Sequence, residues 1–245
     1  MSSIVESNLR LRKHVYLCFT NHHAVFLDLK SDKYLCLIPE HARQLCLALG
    51  FPQPEDFPGR SSAQGTDSDF NHLIQEMISN NLLTENTQEG KKTQPVTLER
   101  PTYDLMGHDF GLKPKINLRH IFNFFYASLI SQFHLHFTSL EKIIKNLKKR
   151  KIRRAFRHTS PDSEDIRELL EIFRSLRPLV FTAKNHCLYD SLSLIEFMAR
   201  YNYYPTWVFG VKVGPFEAHC WIQEGKILLN DSIDYTTFFT PIMTV

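Results

Sequence analysis

A chain of 245 residues is long enough to bury a sizeable core and to divide into two domains. Its 43% hydrophobic and 22% charged content is ordinary for a globular protein, and a formal net charge of +3 implies no global polyelectrolyte partner. The five cysteines (Cys18, Cys36, Cys46, Cys187 and Cys220) are odd in number, scattered and free of CxxC or histidine-spaced ligand patterns, so no metal is expected. Met1-Ser2-Ser3 leads into no apolar signal core, and the expectation is a cytoplasmic protein with reduced thiols. Cys18, Cys36 and Cys46 lie in apolar runs and read as small core residues.

Three short strands come first. His14 to Thr20 is apolar and β-prone, Asn21-His22-His23 turns, Ala24 to Leu29 follows, and Lys30-Ser31-Asp32 turns into Lys33 to Ile38. Pro39 suits the first position of a helix that runs to Leu49, with Ala42, Leu45, Cys46 and Leu49 on one stripe, and Gly50 stops it. Residues 51–68 are rich in Pro, Ser, Gly and Asp and read as a loop with room for a short helix. Asp69 to Leu83 is helical, with Phe70, Leu73, Ile74, Met77, Ile78 and Leu82 facing inward.

Val25-Phe26-Leu27-Asp28-Leu29, Lys33-Tyr34-Leu35-Cys36-Leu37 and the helix after Pro39 make this three-strand, three-helix unit resemble the PqqD-like leader-recognition domain of peptide-modification systems. The resemblance implies a winged-helix-like N-domain over residues 1–85 that binds the leader of a precursor peptide. The third strand is expected at an exposed sheet edge, where an extended peptide adds as a further strand. Lys33, Tyr34 and Leu35 on that strand, with Ile74 on the last helix, are the candidate leader-binding residues. Core packing is the alternative for Tyr34 and Ile74.

Residues 86–115 shift to polar and Pro-rich composition and read as a linker. Ile116 to Arg157 reads as one long or two consecutive helices. Its first part is rich in aromatics (Phe122, Phe124, Phe125, Tyr126, Phe133, Phe137) and is expected to pack on the C-terminal core. Arg119, His120, Asn123, His134 and His136 make that part too polar for a membrane span, leaving a membrane-surface role as the alternative to core. Its second part carries Lys142, Lys145, Lys148, Lys149, Arg150, Lys151, Arg153, Arg154 and Arg157 against Glu141 alone. A solvated face, a dock for an acidic partner and a nucleic-acid surface all fit that pattern. A winged-helix DNA-binding regulator is the natural alternative function. Asp69 to Leu83 argues against it, because a recognition helix without Arg or Lys lacks the groups that read bases and phosphates.

Ser163 to Leu176 is a helix with an acidic first turn and Arg174 at its end. The chemistry follows. Leu188 to Tyr201 is an amphipathic helix with Cys187 at its N-terminus and Asn185 as cap, where unpaired N–H groups favour a thiolate and can hold an oxyanion. Thr206 to Val213, Phe216 to Gln223 and Lys226 to Asn230 form a strand meander, the first with Trp207, Phe209, Val211 and Val213 on one side and the second with His219 and Trp221 on one face. In this frame His219 serves as base toward Cys187 and acid toward a leaving amine, and Asp231 holds the imidazole tautomer. A buried apolar thiol beside an unrelated histidine is the alternative.

Cys187-Leu188 opening a helix, Gly210-Val211-Lys212, Pro215-Phe216-Glu217-Ala218-His219-Cys220-Trp221-Ile222 and Leu229-Asn230-Asp231 together resemble the C-terminal domain of lasso-peptide maturation B proteins, within the transglutaminase-like superfamily. The resemblance covers residues 180–235 and departs from the family at Asp190, near a position where many members carry Arg, and at Cys220, where a smaller residue is common. It implies an α+β chain whose residues 116–245 form a papain/transglutaminase-like domain with an antiparallel sheet and a helical N-terminal part. It implies a leader peptidase with Cys187, His219 and Asp231 as catalytic residues. The implied partners are the precursor peptide and an asparagine-synthetase-like lasso cyclase. No cofactor is expected on this chain; any ATP requirement would enter through the cyclase. The sequence leaves a transglutaminase-like acyl transferase, with an amine replacing water, as an open alternative.

Overall fold

The computed structural model describes residues 8–52, 67–106, 114–155, 163–181 and 186–245, and it is a mixed α+β protein. The chain forms two compact units. The first comprises Met1–Thr97 with Val211–Glu217 and Thr240–Met243; the second comprises Leu98–Gly210, Ala218–Phe239 and Thr244–Val245.

In the first unit, β1 (Arg10–Arg12) precedes an antiparallel meander of β2 (Val15–Thr20), β3 (His23–Asp28) and β4 (Lys33–Leu37), ordered β2-β3-β4. The register sets Val25 opposite Cys18 on one side and Cys36 on the other. The β2–β3 turn places Asn21 and His22 at φ 45° and 65°, the left-handed pair that matches hairpin twist. Helix α1 (Pro39–Ala48) buries Ala42, Leu45 and Cys46, and α2 (Asp67–Ser79) buries Met77 against the same cluster as Val15, Leu17 and Phe26. Asn81, at φ 58°, stops α2 short of the expected Leu83, which instead enters β5 (Leu83–Thr84). The third helix expected within 51–68 falls mostly outside the described residues.

As expected, β4 is an edge strand, pairing within its sheet with β3 alone. Cys36 is a correction: it is exposed, because on β4 only Leu37 reaches the core. The stretch read as a linker carries two short strands. β6 (Gly90–Lys91) pairs with β1, and β7 (Tyr103–Asp104) pairs with β10 in the second sheet.

The second unit opens with α3 (Leu118–Phe137) and α4 (Leu140–Ala155), two helices separated at Thr138-Ser139, then α5 (Ser163–Leu176) and α6 (Cys187–Ala199). A five-stranded sheet follows the order β11-β8-β9-β10-β7, with β8 at Thr206–Lys212, β9 at Glu217–Glu224, β10 at Ile227–Leu228 and β11 at Thr240–Thr244; a short α7 (Ile233–Thr236) precedes β11. β10 runs antiparallel to β9 and parallel to β7, so the sheet is mixed rather than wholly antiparallel. β8 was expected to bury alternate residues, yet Trp207 to Val211 are all buried, because the strand lies inside the sheet with both faces covered.

Helix α3 packs on α6, with the Tyr189 hydroxyl donating to the Ser128 carbonyl (3.0 Å) and the Asn123 amide to Tyr201 (3.1 Å). The expected packing on the C-terminal core is present, but of the six aromatics named only Phe124 faces it. The buried face is Asn123, Phe124, Ala127, Ser128 and Ser131, whereas Phe122, Phe125, Tyr126, Phe133 and Phe137 are exposed. Periodicity identifies a helix's apolar side but not which side meets the core.

Candidate active site

Cys187 begins α6, so its own N–H is among those left without an intrahelical acceptor. The cap position is His186, whose side chain makes no capping bond; Asn185, the expected cap, lies outside the described residues. Two neighbours on β9 meet the thiol. His219 hydrogen-bonds its sulfur, and Cys220 reaches it with both its thiol and its backbone N–H. The Cys187 pKa is held down to about 4, first by the bond from the Cys220 thiol and then by the hydrogen bond and charge of His219; partial burial opposes this. Cys220 is fully buried and its pKa is raised well above the ordinary range, so it keeps its proton and acts as donor.

His219 Nε2 is bonded to Asp231 Oδ2, which leaves Nδ1 as the ring nitrogen for Cys187. Burial pulls the imidazolium pKa down, but the hydrogen bonds and charges of Asp231 and Cys187 outweigh it and lift the pKa to about 9. Asp231 is itself oriented by the Ser232 N–H, which donates to Oδ1 at 2.8 Å. Between about pH 4 and pH 9 the site therefore rests as a thiolate–imidazolium pair, the reactive form of a cysteine nucleophile.

Aromatic rings enclose the imidazole: Trp221 at 6.1 Å, Tyr235 at 5.0 Å and Phe239 at 5.2 Å. Trp221 takes that position because residue 210 on β8 is glycine. A Cβ there would lie 2.7 Å from the indole and 3.0 Å from Phe239 Cβ. The indole N–H donates to Gln223 Oε1 at 3.1 Å, satisfying the buried polar atom.

A second network fixes α6 against the strand ends. Asn230 accepts the Ile222 N–H at 2.7 Å through Oδ1, and its amide donates to Asp190 Oδ2 (2.9 Å) and Ser191 Oγ (3.1 Å). Asp190 is buried and also faces Arg177 at 3.4 Å. Burial pushes its pKa up, against the pull of Arg177 and Asn230. Asp190, the departure noted at the Arg-bearing position, thus faces inward and holds the frame of the triad. Asn230→Asp will set a second carboxylate against Asp190 and remove both donor bonds, lowering stability by about 2–4 kcal/mol in urea unfolding at pH 7. The facing carboxylates acquire folded pKa values above their unfolded ones. The penalty is therefore full when both are ionised and relaxes as the pH falls and one takes up a proton.

Cys187, at a helix N-terminus, and His219 and Asp231, from β9 and the turn after β10, converge as one constellation on an α+β frame. Residues 131–244 match the transglutaminase-like superfamily. The matched span of this transglutaminase-like domain runs from the second half of α3 through β11 and contains the whole constellation. No curated protein and no solved structure matches the chain.

Of the other expected site residues, Lys33 and Leu35 are exposed on β4; Tyr34 is half-buried with its ring 5.5 Å from Phe216; Ile74 is half-buried against the N-terminal core cluster. The reading of the sequence missed Cys220 as a contributor. Its position directly after His219 was the available signal.

Proposed function

We propose that this protein is a cysteine leader peptidase of lasso-peptide biosynthesis, acting on a ribosomally made precursor in the cytoplasm. The observation that carries the reading is Cys187 at the start of α6 beside His219, whose Nε2 is bonded to Asp231, an arrangement that favours the thiolate–imidazolium pair. The position of β4 at the edge of its sheet, with Lys33 and Leu35 exposed, supports the peptide-binding half, since an extended peptide adds at such an edge. Tethering the leader there raises the effective concentration of the scissile bond at Cys187.

In this mechanism the thiolate attacks the scissile carbonyl, and the Cys187 N–H at the helix start stabilises the oxyanion. Collapse of the tetrahedral adduct breaks the C–N bond, and the His219 imidazolium gives its proton to the departing amine of the core peptide. The neutral imidazole then takes a proton from water, the hydroxide adds to the thioester, and the leader carboxylate leaves as the thiolate re-forms. Asp190, Asn230 and Cys220 position and charge the nucleophile without touching substrate. The asparagine-synthetase-like cyclase would take the freed amine, and ATP would serve that partner. An acyl transferase is the second reading, favoured by the superfamily match, and differs only in the acceptor that enters the thioester.

The test is incubation with the precursor encoded beside the protein's own gene, with and without the neighbouring cyclase and ATP, read by mass spectrometry for wild type and Cys187→Ala. Release of free leader by wild type alone is the expected result. A leader joined to an amine would establish acyl transfer instead. An uncut precursor under every condition would overturn the peptidase.

A further inference from the structure

The nucleophile shares its site with a second sulfur. Cys220 on β9 sets its side chain against the first turn of α6. Its Sγ lies 3.9 Å from Ser191 Oγ, and the Ser191 hydroxyl donates to the Cys220 carbonyl at 3.3 Å. Ser191 follows Cys187 by one helical turn, so the two side chains lie on one face of α6, and helical side chains lean toward the N-terminus. The Cys220 thiol accordingly also reaches Cys187, to which it is hydrogen-bonded sulfur to sulfur. Both thiols are free, on facing elements, and already in contact.

The two sulfurs differ in access and in charge. Cys187 is half-buried and Cys220 is buried, so an oxidant arriving from solution meets Cys187, and Cys220 meets only what forms on Cys187. Cys187 carries the negative charge and Cys220 keeps its proton. An accessible thiolate backed by a shielded thiol is the arrangement in which one sulfur is oxidised and the other resolves it.

We propose that Cys220 is the resolving cysteine of a reversible redox switch, which closes a Cys187–Cys220 disulfide when the nucleophile meets a hydroperoxide. The inference rests on Cys187 being the nucleophile of the proposed peptidase and adds how that nucleophile is turned off. In the first step the Cys187 thiolate attacks the outer oxygen of the hydroperoxide. An S–O bond forms and the O–O bond breaks. Cys187 becomes a sulfenic acid, the peroxide is reduced by two electrons, and the departing oxygen takes the His219 imidazolium proton to leave as water or an alcohol. The loss of the Cys187 charge removes one of the influences that hold the proton on Cys220. In the second step the Cys220 sulfur attacks the Cys187 sulfur. The S–S bond forms, the S–O bond breaks, and the hydroxide leaves as water with the proton that Cys220 gives up. A dithiol reverses the result by exchange. The disulfide removes the attacking group and its thiol donor together, and it spares Cys187 from the irreversible sulfinic and sulfonic acids.

The experiment exposes the reduced, desalted full chain to a small excess of hydrogen peroxide, blocks remaining thiols with iodoacetamide, and maps the peptides by mass without reduction. Wild type is compared with Cys220→Ser, each against its own reduced form, with circular dichroism as the check on folding. Wild type is expected to lose two hydrogens and to yield one linked peptide pair, Cys187 with Cys220. Its Cys187 labelling should fall at least about tenfold and return with dithiothreitol. Cys220→Ser should gain oxygen at Cys187 and recover at least about fivefold less labelling. Wild type that gains oxygen at Cys187, links it to Cys18, Cys36 or Cys46, or recovers no better than a folded Cys220→Ser would overturn the switch; if that variant does not fold, the wild-type map decides alone. The readouts also separate this inference from the peptidase. Selective labelling of Cys187 in reduced protein without a Cys187–Cys220 link leaves the nucleophile and removes the switch. The link in a protein that cuts no precursor supports the switch and removes the peptidase.

Discussion

His219→Ala will lower turnover in the precursor-cleavage assay by about 10⁴-fold. Two losses combine. The leaving amine no longer has an acid, and the thiolate loses the hydrogen bond and positive charge that help hold the Cys187 pKa at about 4. Asp231→Asn will have the same direction and a smaller size, because an amide oxygen can still accept the Nε2 proton while the charge that lifts His219 to about 9 is gone. Precursor affinity should stay within a few-fold of wild type in both. A His219→Ala protein that keeps its fold and turns over within tenfold of wild type would remove His219 from the chemistry.

Iodoacetamide will label Cys187 selectively at pH 5. The other thiols are protonated there: burial lifts Cys18 to about 12, raises Cys36 and Cys46, and pushes Cys220 well above the ordinary range. Against an ordinary thiol, Cys187 has a thiolate fraction about 10³-fold larger at this pH, and the lower nucleophilicity of a weakly basic thiolate takes back about 10²-fold. A net advantage on the order of tens remains. The sign with pH follows from the two shifts: labelling is flat across neutrality, falls as the pH drops through 4, and changes again near 9 as the imidazolium loses its proton. Cleavage should rise and fall through the same two limits. A labelling rate that climbs tenfold per pH unit up to about 8.5 would mean that Cys187 is an ordinary thiol.

The chain order of the site was legible because its parts are local: a periodic helix opening at Cys187, a hairpin bearing His219, and Asp231 after the next strand. The N-terminal meander was legible for the same reason, with turn residues at Asn21-His22 and Asp32 and a helix starting on Pro39. What stayed hidden depends on partners distant in sequence. β7 is two residues long and exists because Ile227 and Leu228 pair with Tyr103 and Asp104. β11 lies at the chain's end beside β8, with Pro241 inside it masking its strand character. The buried face of α3 was invisible because its small and polar residues carry no hydrophobic signal. Asp190 looked like a departure at a substrate contact, and its partner Asn230 lies forty positions away.

Glycine at position 210 has a consequence for the entropy of the reaction. By letting Trp221 lie close to β8, it completes the wall of rings around His219, which Tyr235 and Phe239 close from other sides. Immobilising a free side chain costs about 0.5–1.5 kcal/mol. Here that cost is met once, when the chain folds, and not again with each substrate. In the proposed reaction the imidazole would meet each peptide already aimed, and binding energy from the leader would be free to align the scissile bond rather than the acid that protonates it.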